Sequence, residues 1–428
     1  MKHSRKDIFI IGFALFSMFF GAGNAIFPPY LGMGSGPQWG LGFLCYYIVD
    51  IGLALLALYS MFCKGGSDAI IKPIGRISSI IFMCAIVLCI GPMLAIPRTA
   101  AMTFEMSVQP LTSHIGSVLF SIIFFVIIFV CSIRENSVVD IVGKILTPLL
   151  LLGLMILIIK GMISPLGDYS AMPQVPNVAE SGIKAGYQTM DVLATMLFGT
   201  LILRSTESKG YVNEHDRKKV AVKSSIIAGI LLMIVYSGLT YLGATVSTMF
   251  DPSIGRSALM LSIVTRLLGQ KGTILFATVV ALACITTAVG LVSSCSEYFA
   301  DLCHHKVSYS AFVVIICVFS AVVSNFGLEQ IVSISAPILD IVYPPALVLI
   351  FLSFVPNLSN LTCKLATLGA LAFSILTAIS SYGGVAIPFL GKLPFAVFGF
   401  GWVLPALICG LIGEILRRTV VRVPKNEG

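Results

Sequence analysis

The sequence predicts an all-α polytopic membrane protein with twelve transmembrane helices. Of its 428 residues 57% are hydrophobic and only 11% are charged, whereas soluble domains carry about 25% charged residues. The mean hydropathy of +1.00 is too high for a water-soluble surface. The apolar runs are long and do not alternate, which is typical of membrane helices of about 20 residues rather than of barrel strands. Soluble, disordered and nucleic-acid-binding proteins are therefore excluded.

The apolar runs divide the chain into twelve predicted spans. They lie at about residues 8–32, 39–62, 77–104, 117–133, 143–163, 182–203, 223–246, 272–300, 307–325, 328–355, 363–382 and 394–416. The first run follows basic residues, as a signal peptide would, but it is longer and has no small-residue cleavage site. Residues 256–268, between two spans, are predicted to form a short helix that covers the bundle. We expect a single transmembrane transporter domain over residues 1–428 and no soluble domain.

The distribution of basic residues predicts the orientation. With twelve spans both termini lie on the same side of the membrane. If that side is the cytoplasm, 20 of the 27 Lys and Arg residues fall in cytoplasmic segments, as the positive-inside rule requires. The formal net charge of +8 is then mostly a consequence of topology.

Motifs for covalent chemistry are missing from the sequence. It contains no GxxxxGK[ST] phosphate loop, no GxSxG and no paired carboxylate motif for Mg²⁺. An enzyme and an organic cofactor are therefore not predicted. A twelve-span bundle without these motifs favours transport, and a gradient-driven transporter must bind an ion together with its solute.

The first span carries an interruption. Gly21, Gly23 and Asn24 lie near its middle, and Pro28 and Pro29 follow one turn later. Glycine and proline disfavour a helix interior by about 1 and 3 kcal/mol, and non-helical backbone at membrane depth persists where it lines a cavity. Freed N–H groups suit a carboxylate and freed carbonyls suit a cation, as in transporters with discontinuous helices. The alternative is close helix packing through small residues.

Five segments carry a family resemblance. They are FALFSMFFGAGNAIFPPYLG at 13–32, GPMLAIPRTAAMTFE at 91–105, GYQTMDVLATMLFG at 186–199, LACITTAVGLVSSCSEYF at 282–299 and SISAPILDIVYPPALVLIF at 333–351. The chain resembles the bacterial branched-chain amino acid:cation symporters of the BrnQ type. The resemblance implies a leucine-transporter-like fold of the amino acid–polyamine–cation superfamily. It also implies two inverted five-helix repeats, at about 8–163 and 182–355, accessory helices at about 363–416 and a place in the bacterial cytoplasmic (inner) membrane.

The resemblance implies a substrate site at the first-helix break. The GxGN pattern falls on Gly21, Ala22, Gly23 and Asn24, and the substrate carboxylate would meet the backbone N–H groups of Ala22 and Gly23.

A Na⁺ site is implied beside it. Its ligands would be carbonyls or hydroxyls of Ser17, Phe20, Ala283, Thr286 and Thr287, and no other metal is expected. Oxygen ligands suit a hard cation. The alternative for the two threonines is that their hydroxyls bond back to their own helix.

The sixth span should also be broken, because the repeats are related by symmetry. Asp191 follows Gln188 there, and we predict that both contact the substrate. A carboxylate within a span is usually functional. Asp191 would face the substrate ammonium or the ion path, or else bond to backbone near the outer interface.

Other charged residues in the spans have open roles. Asp50 is either part of a proton or cation path or paired inside the bundle. Arg98 and Glu105 are interpreted as a structural pair at the outer end of span 3.

Together with these observations, the resemblance implies a secondary active symporter that imports Leu, Ile and Val with Na⁺ by alternating access. An apolar pocket is expected to discriminate by only about 1–3 kcal/mol per methylene, so Met is a further candidate substrate. Phe104, Met196 and Phe198 are candidates for its lining. The rival hypotheses are H⁺ coupling through Asp50 or Asp191 and, from other classes, a channel or an intramembrane enzyme. The expected partners are the amino acid, Na⁺ and the lipid bilayer, without nucleic acid.

Overall fold

The computed structural model describes residues 5–112, 114–133, 147–211 and 213–421, and within these ranges every regular element is helical. The all-α prediction is therefore confirmed for this part of the chain. The α-helices of the first half are α1 Arg5–Phe19, α2 Ala22–Ser35, α3 Trp39–Tyr47, α4 Leu53–Lys64, α5 Ser67–Ile71, α6 Arg76–Leu88, α7 Ala95–Thr103, α8 Ser117–Ile133 and α9 Thr147–Ile163. Those of the second half are α10 Val178–Thr189, α11 Asp191–Ser208, α12 Glu214–Ala244, α13 Arg256–Leu302, α14 Tyr309–Ser324, α15 Leu328–Leu352, α16 Asn360–Tyr382 and α17 Val403–Val421.

Three segments of the chain form wide π-type turns next to α-helices. They are Ile48–Gly52 between α3 and α4, Cys89–Met93 before α7, and Phe104–Val108 after α7. Such turns inside a helix often accompany functional sites. The first of them contains Asp50, and the other two flank the helix that carries Arg98.

Membrane-spanning character is clear for many of these helices. In the described ranges, six helical stretches are long and apolar enough to cross a bilayer, namely Gly23–Lys64, Arg76–Val108, Glu214–Ala244, Arg256–Leu302, Leu328–Leu352 and Asn360–Tyr382. The helices Ser117–Ile133, Thr147–Ile163 and Tyr309–Ser324 are apolar but shorter. The protein is thus a multi-pass helical bundle. The count of twelve stays a prediction, and the first residues of the fifth predicted span, 143–146, lie outside the described residues.

Helix α13 consists of two helical parts. Gly269 interrupts it with φ 67° and ψ −173°, a conformation that glycine adopts without a steric penalty. The first part is the short covering helix predicted from the sequence. Leu259, Ile263 and Val264 are buried beneath it, whereas Leu261 is only partly covered.

Helix α2 packs directly against α12 through two glycines. A Cβ atom added to Gly32 would collide with the backbone carbonyl of Thr240, and one added to Gly243 would collide with that of Pro29. The two backbones are therefore in contact with no side chain between them, as small residues at membrane helix interfaces allow. This contact holds α2 beside α12, and α2 also packs on α13 and α10.

Candidate functional site

The first helix is interrupted where the sequence predicted it. Helix α1 ends at Phe19, and α2 begins at Ala22 after an extended Gly21 with φ −98° and ψ −169°. The N–H of Gly21 donates to Phe19 O at 2.7 Å, whereas an unbroken helix would direct it to Ser17 O. No side chain caps the start of α2. The break therefore presents freed carbonyls at the end of α1 and free N–H groups at the start of α2.

The sixth predicted span is broken as well. Helix α10 ends at Thr189 and α11 starts at Asp191, and between them Met190 has a left-handed φ of 67°. Such a conformation is strained for a bulky residue. Met190 is nevertheless buried, so the surrounding packing maintains the break. Asp191 is the first residue of its helix, where the helix dipole favours a carboxylate.

A cavity joins the two breaks. It has a volume of about 40 Å³, whereas sites for small molecules measure about 300–1,000 Å³. The cavity is therefore too small to hold an amino acid and must widen before a molecule of that size can enter. Its polar lining comes from Gly21, Gly23, Asn24, Arg98, Thr99, Thr189, Asp191 and Thr287. Its apolar lining includes Met18, Phe19, Ile90, Ala194, Phe198 and Leu291.

Asn24 links the two breaks by hydrogen bonds. Its Nδ2 lies 2.7 Å from Asp191 Oδ2 and 2.9 Å from Phe19 O. The same nitrogen is 2.5 Å from the hydroxyl of Tyr236 on α12. Asn24 is 1% exposed and Asp191 is 5% exposed, so these polar groups are shielded from solvent. A buried network of this kind fixes the relative position of its members.

Asp50 lies behind this network on the π-type turn of Ile48–Gly52. It is fully buried, and its Oδ1 is 2.6 Å from the hydroxyl of Thr189. Its Oδ2 has no hydrogen-bond partner among the described residues, and Tyr46 and Asp191 are its polar neighbours. Two carboxyl groups, Asp50 and Asp191, thus share one water-excluded region.

Of the predicted Na⁺ ligands, Ser17 lies on α1, Phe20 directly follows α1 at the break, and Ala283, Thr286 and Thr287 lie on α13, which contacts α1. Thr287 reaches the cavity, and its buried hydroxyl has no hydrogen-bond partner among the described residues. A Cβ atom on Gly21 would lie 3.4 Å from its methyl group. The Thr286 hydroxyl donates to Ala283 O at 2.8 Å. This is the bond to its own helix that was expected as the alternative to cation binding. That bond also brings these two predicted oxygen ligands together.

The cavity lining includes only part of the predicted residues. Ser17, Phe20, Ala283 and Thr286 do not line the cavity itself, and their role as Na⁺ ligands stays a prediction. Of the candidate lining residues Phe104, Met196 and Phe198, only Phe198 lines the cavity. Phe104 faces Phe120 instead, with ring centroids 5.6 Å apart.

Gln188 is held by neighbours. Its side-chain carbonyl accepts a hydrogen bond from Ser335 Oγ at 3.0 Å. Its main-chain carbonyl accepts one from Arg98 Nη1 at 2.6 Å. The side chain of Ala22 is outside the described residues, and only its backbone, at the start of α2, is relevant here.

The interpretation of Arg98 and Glu105 as a pair is wrong. Arg98 is 2% exposed and directs its guanidinium into the cavity region, towards Gln188 and Ser335. Glu105 instead accepts the N–H of Leu328 at the start of α15, at 2.9 Å. The two residues lie seven positions apart, about two helical turns. Arginine inside an apolar run was the available signal, since such charges usually have a function.

Comparisons with known proteins agree with this architecture. A family profile described as "Branched-chain amino acid transport protein" matches residues 4–420. The chain is 34% identical to the branched-chain amino acid permease BraB of Bacillus subtilis (strain 168), over 97% of each protein. It is 36% identical to the branched-chain amino acid transport system 3 carrier protein of Pseudomonas aeruginosa, over 96% of this chain and 97% of the relative. It is 32% identical to BrnQ of Escherichia coli (strain K12), over 97% of each.

Solved structures share the fold at low sequence identity. A nucleobase-cation-symport-1 family transporter, Mhp1, aligns with a TM-score of 0.66 at 14% identity, over 96% of this chain and 92% of that one. A Na⁺-coupled sialic acid symporter aligns with a TM-score of 0.62 at 11% identity, over 96% and 90%. These likenesses concern the leucine-transporter-like fold alone. The match along nearly the whole chain means that this protein belongs to the branched-chain amino acid transport protein family, whose relatives are permeases and carriers rather than enzymes.

Proposed function

We propose that the protein imports Leu, Ile and Val together with Na⁺ by alternating access. The observation that carries the proposal is the pair of helix breaks at Gly21 and Met190, which meet at one small cavity. Family membership supports the branched-chain substrates. In this mechanism the cavity opens to each side of the membrane in turn, and ion binding stabilises the substrate-ready conformation.

The substrate site combines polar groups at one end with apolar side chains at the other. The amino acid carboxylate meets the backbone N–H groups at Ala22 and Gly23, where the positive end of the α2 dipole lies. The ammonium faces Asp191, which Asn24 orients. The aliphatic side chain contacts apolar lining residues such as Phe198. Such lining offers only methyl and ring contacts, which suits Leu, Ile and Val and also tolerates Met.

Na⁺ binds between α1 and α13 in this proposal. Its ligands are the carbonyls of Ser17, Phe20 and Ala283 and the hydroxyls of Thr286 and Thr287. Two observations support the proposal. The N–H of Gly21 donates to Phe19 O and so leaves Ser17 O without this helical bond. The Thr287 hydroxyl is buried and has no hydrogen-bond partner among the described residues. A Na⁺-coupled symporter is among the proteins with this fold, although that likeness concerns fold alone.

The membrane arrangement follows from the same proposal. The chain crosses the cytoplasmic (inner) membrane of a bacterium twelve times with both termini in the cytoplasm. Residues 8–163 and 182–355 form inverted repeats within one transporter domain, and 363–416 add two helices. The basic-residue distribution supports the orientation, because 20 of 27 Lys and Arg residues then face the cytoplasm.

One observation favours H⁺ as a second candidate for the coupling ion. The Thr189 hydroxyl lies 2.6 Å from Asp50 Oδ1 and 2.6 Å from Gly186 O. A hydroxyl has one hydrogen, so it cannot donate to both acceptors. If it donates to Gly186, the Asp50 carboxyl must be protonated to complete the other bond. Asp191 nearby adds to the cost of a second charge in this region.

Purified protein in liposomes tests both candidates. Labelled leucine should accumulate against its gradient when Na⁺ is imposed outside, and a saturable rate would argue against a channel. Accumulation driven by a pH gradient alone, without Na⁺, would replace Na⁺ by H⁺ in the proposal. Recovery of chemically altered leucine would indicate an enzyme, and failure to accumulate any branched-chain amino acid would overturn the transport proposal.

A further inference from the structure

Arg98 is the largest fully buried side chain among the described residues. It extends from α7 to two other elements, with Nη1 donating to Gln188 O at 2.6 Å and Nη2 donating to Ser335 Oγ at 3.0 Å. The guanidinium also lies over the ring of Phe27 on α2, 5.6 Å from its centroid. Its position thus joins the helix before the second break to α15 and to the helix after the first break.

None of these partners carries a negative charge. Within the described ranges, no carboxylate makes an ion pair with Arg98. The charged residue that acts on it is Arg256, which shares the Phe27 ring from 5.5 Å and has its own partner in Glu329. An arginine does not release its proton in a protein, and a buried charge without a counter-charge costs several kcal/mol. The site is therefore electrostatically incomplete in a way that an anion would complete.

The guanidinium lies at the cavity, beside the start of α2. Arg98 lines the cavity together with Gly21 and Gly23. A Cβ atom on Gly23 would lie 3.3 Å from Nη1, so glycine permits the close approach of α2 to the arginine. The Arg98 Nε is buried and has no hydrogen-bond partner among the described residues. The guanidinium that lies beside the start of α2 thus has a donor with no partner among the described residues.

We propose that Arg98 binds the α-carboxylate of the transported amino acid by a charge-assisted hydrogen bond beside the first N–H groups of α2. The inference rests on the proposed function, because it names the group that holds that substrate. A guanidinium fork matches carboxylate geometry better than other side chains do. With Asp191 lining the same cavity, the site then offers one cation and one carboxylate to the two ends of a zwitterion.

The test compares ligands with and without a carboxylate on purified full-length protein. Binding of labelled L-leucine is measured in Na⁺, with competition by L-leucine and by L-leucinamide, which keeps the ammonium and side chain but has a neutral amide. The variants are Arg98→Gln, Arg98→Lys and the control Arg266→Gln, whose guanidinium lies over Phe250 outside the cavity. The wild type and control should bind leucinamide at least about 30-fold more weakly than leucine, because a buried charge partner is lost.

Arg98→Gln should reduce this preference to about threefold or less, and Arg98→Lys should give an intermediate ratio because it retains charge without the fork. A merely structural role would weaken both ligands equally, and an unchanged ratio in Arg98→Gln overturns the proposal. If Arg98→Gln does not fold, the wild type still tests the proposal, because equal binding of leucine and leucinamide by the wild type would overturn it. If the wild type neither binds nor accumulates leucine, the proposed function fails instead.

Discussion

Asn24 Nδ2 lies 2.7 Å from Asp191 Oδ2, so one hydrogen bond connects the helix after the first break with the helix after the second. The two residues are 167 positions apart in the sequence. Both are buried and both line the cavity. Any movement that separates α2 from α11 must break this bond or replace it with a bond to substrate.

Asp191→Asn is expected to impair leucine uptake severely. The change keeps the size of the side chain but removes the negative charge opposite the substrate ammonium, and loss of one partner of a buried charge pair costs about 2–5 kcal/mol. The apparent affinity for leucine should fall by roughly 30-fold or more. Asp168→Asn, in the loop between α9 and α10, is the control and should leave uptake unchanged. Wild-type affinity in Asp191→Asn would remove this residue from the substrate site.

Thr287→Ala should weaken the dependence of transport on Na⁺. It removes a buried hydroxyl that has no protein partner in the described structure, and losing one polar contact to a charge costs about 1.5–3 kcal/mol. The Na⁺ concentration for half-maximal uptake should rise about tenfold or more, while the amount of folded protein stays the same. Thr278→Ala is a matched control, because its exposed hydroxyl bonds to Ile274 on the same helix. Equal Na⁺ dependence in both variants would contradict the proposed cation site.

Asp50→Asn distinguishes the two coupling ions. An asparagine cannot carry a proton, so uptake driven by a pH gradient should disappear if Asp50 is the carrier. Leucine exchange without a net gradient should persist, because the variant still binds substrate. Asp68→Asn, in the short helix α5, serves as the control. If Asp50→Asn keeps its response to a pH gradient, the proton is not carried at this residue.

Gly243→Ala should destabilise the protein. The added methyl group would meet the backbone of Pro29, and overpacking costs about 1–3 kcal/mol, occasionally more. Gly40→Ala is the matched control in a helix, since nothing lies within 4 Å of its added Cβ. The control should be neutral or slightly stabilising, by up to about 1 kcal/mol. Thermal unfolding of purified protein in detergent measures the difference, and equal midpoints would refute the direct backbone contact.

The helix interruptions were accessible from sequence because they depend on local chemistry. Gly21, Gly23 and the following prolines disfavour a continuous helix whatever surrounds them. The short helix before Gly269 was predicted from its apolar positions, whereas the structure places the break itself at that glycine. The break at Met190 was expected only through repeat symmetry, because methionine does not by itself favour a left-handed conformation.

The partners of polar side chains could not be obtained in this way. Arg98 and Glu105 look like a pair along the chain, but tertiary packing directs them to α10 and α15 instead. The nearness of Asp50 to Asp191 depends on how α3, α4 and α11 pack. Such contacts depend on how elements that are distant in the sequence pack together. Hydrophobic periodicity predicts the secondary structure of each element but not this packing.

The backbone contact between Gly32 and Gly243 has a mechanical consequence. Two backbones in direct contact offer no layer of side chains on which they could slide. Gly12 makes a less extreme contact between α1 and α12, where an added Cβ would lie 3.1 Å from Ser224 O and from the Ile227 side chain. Both halves of the interrupted helix are therefore packed tightly on α12, and moving either half away from α12 would break these contacts. We expect a passage to the cavity to open elsewhere around the interrupted helix.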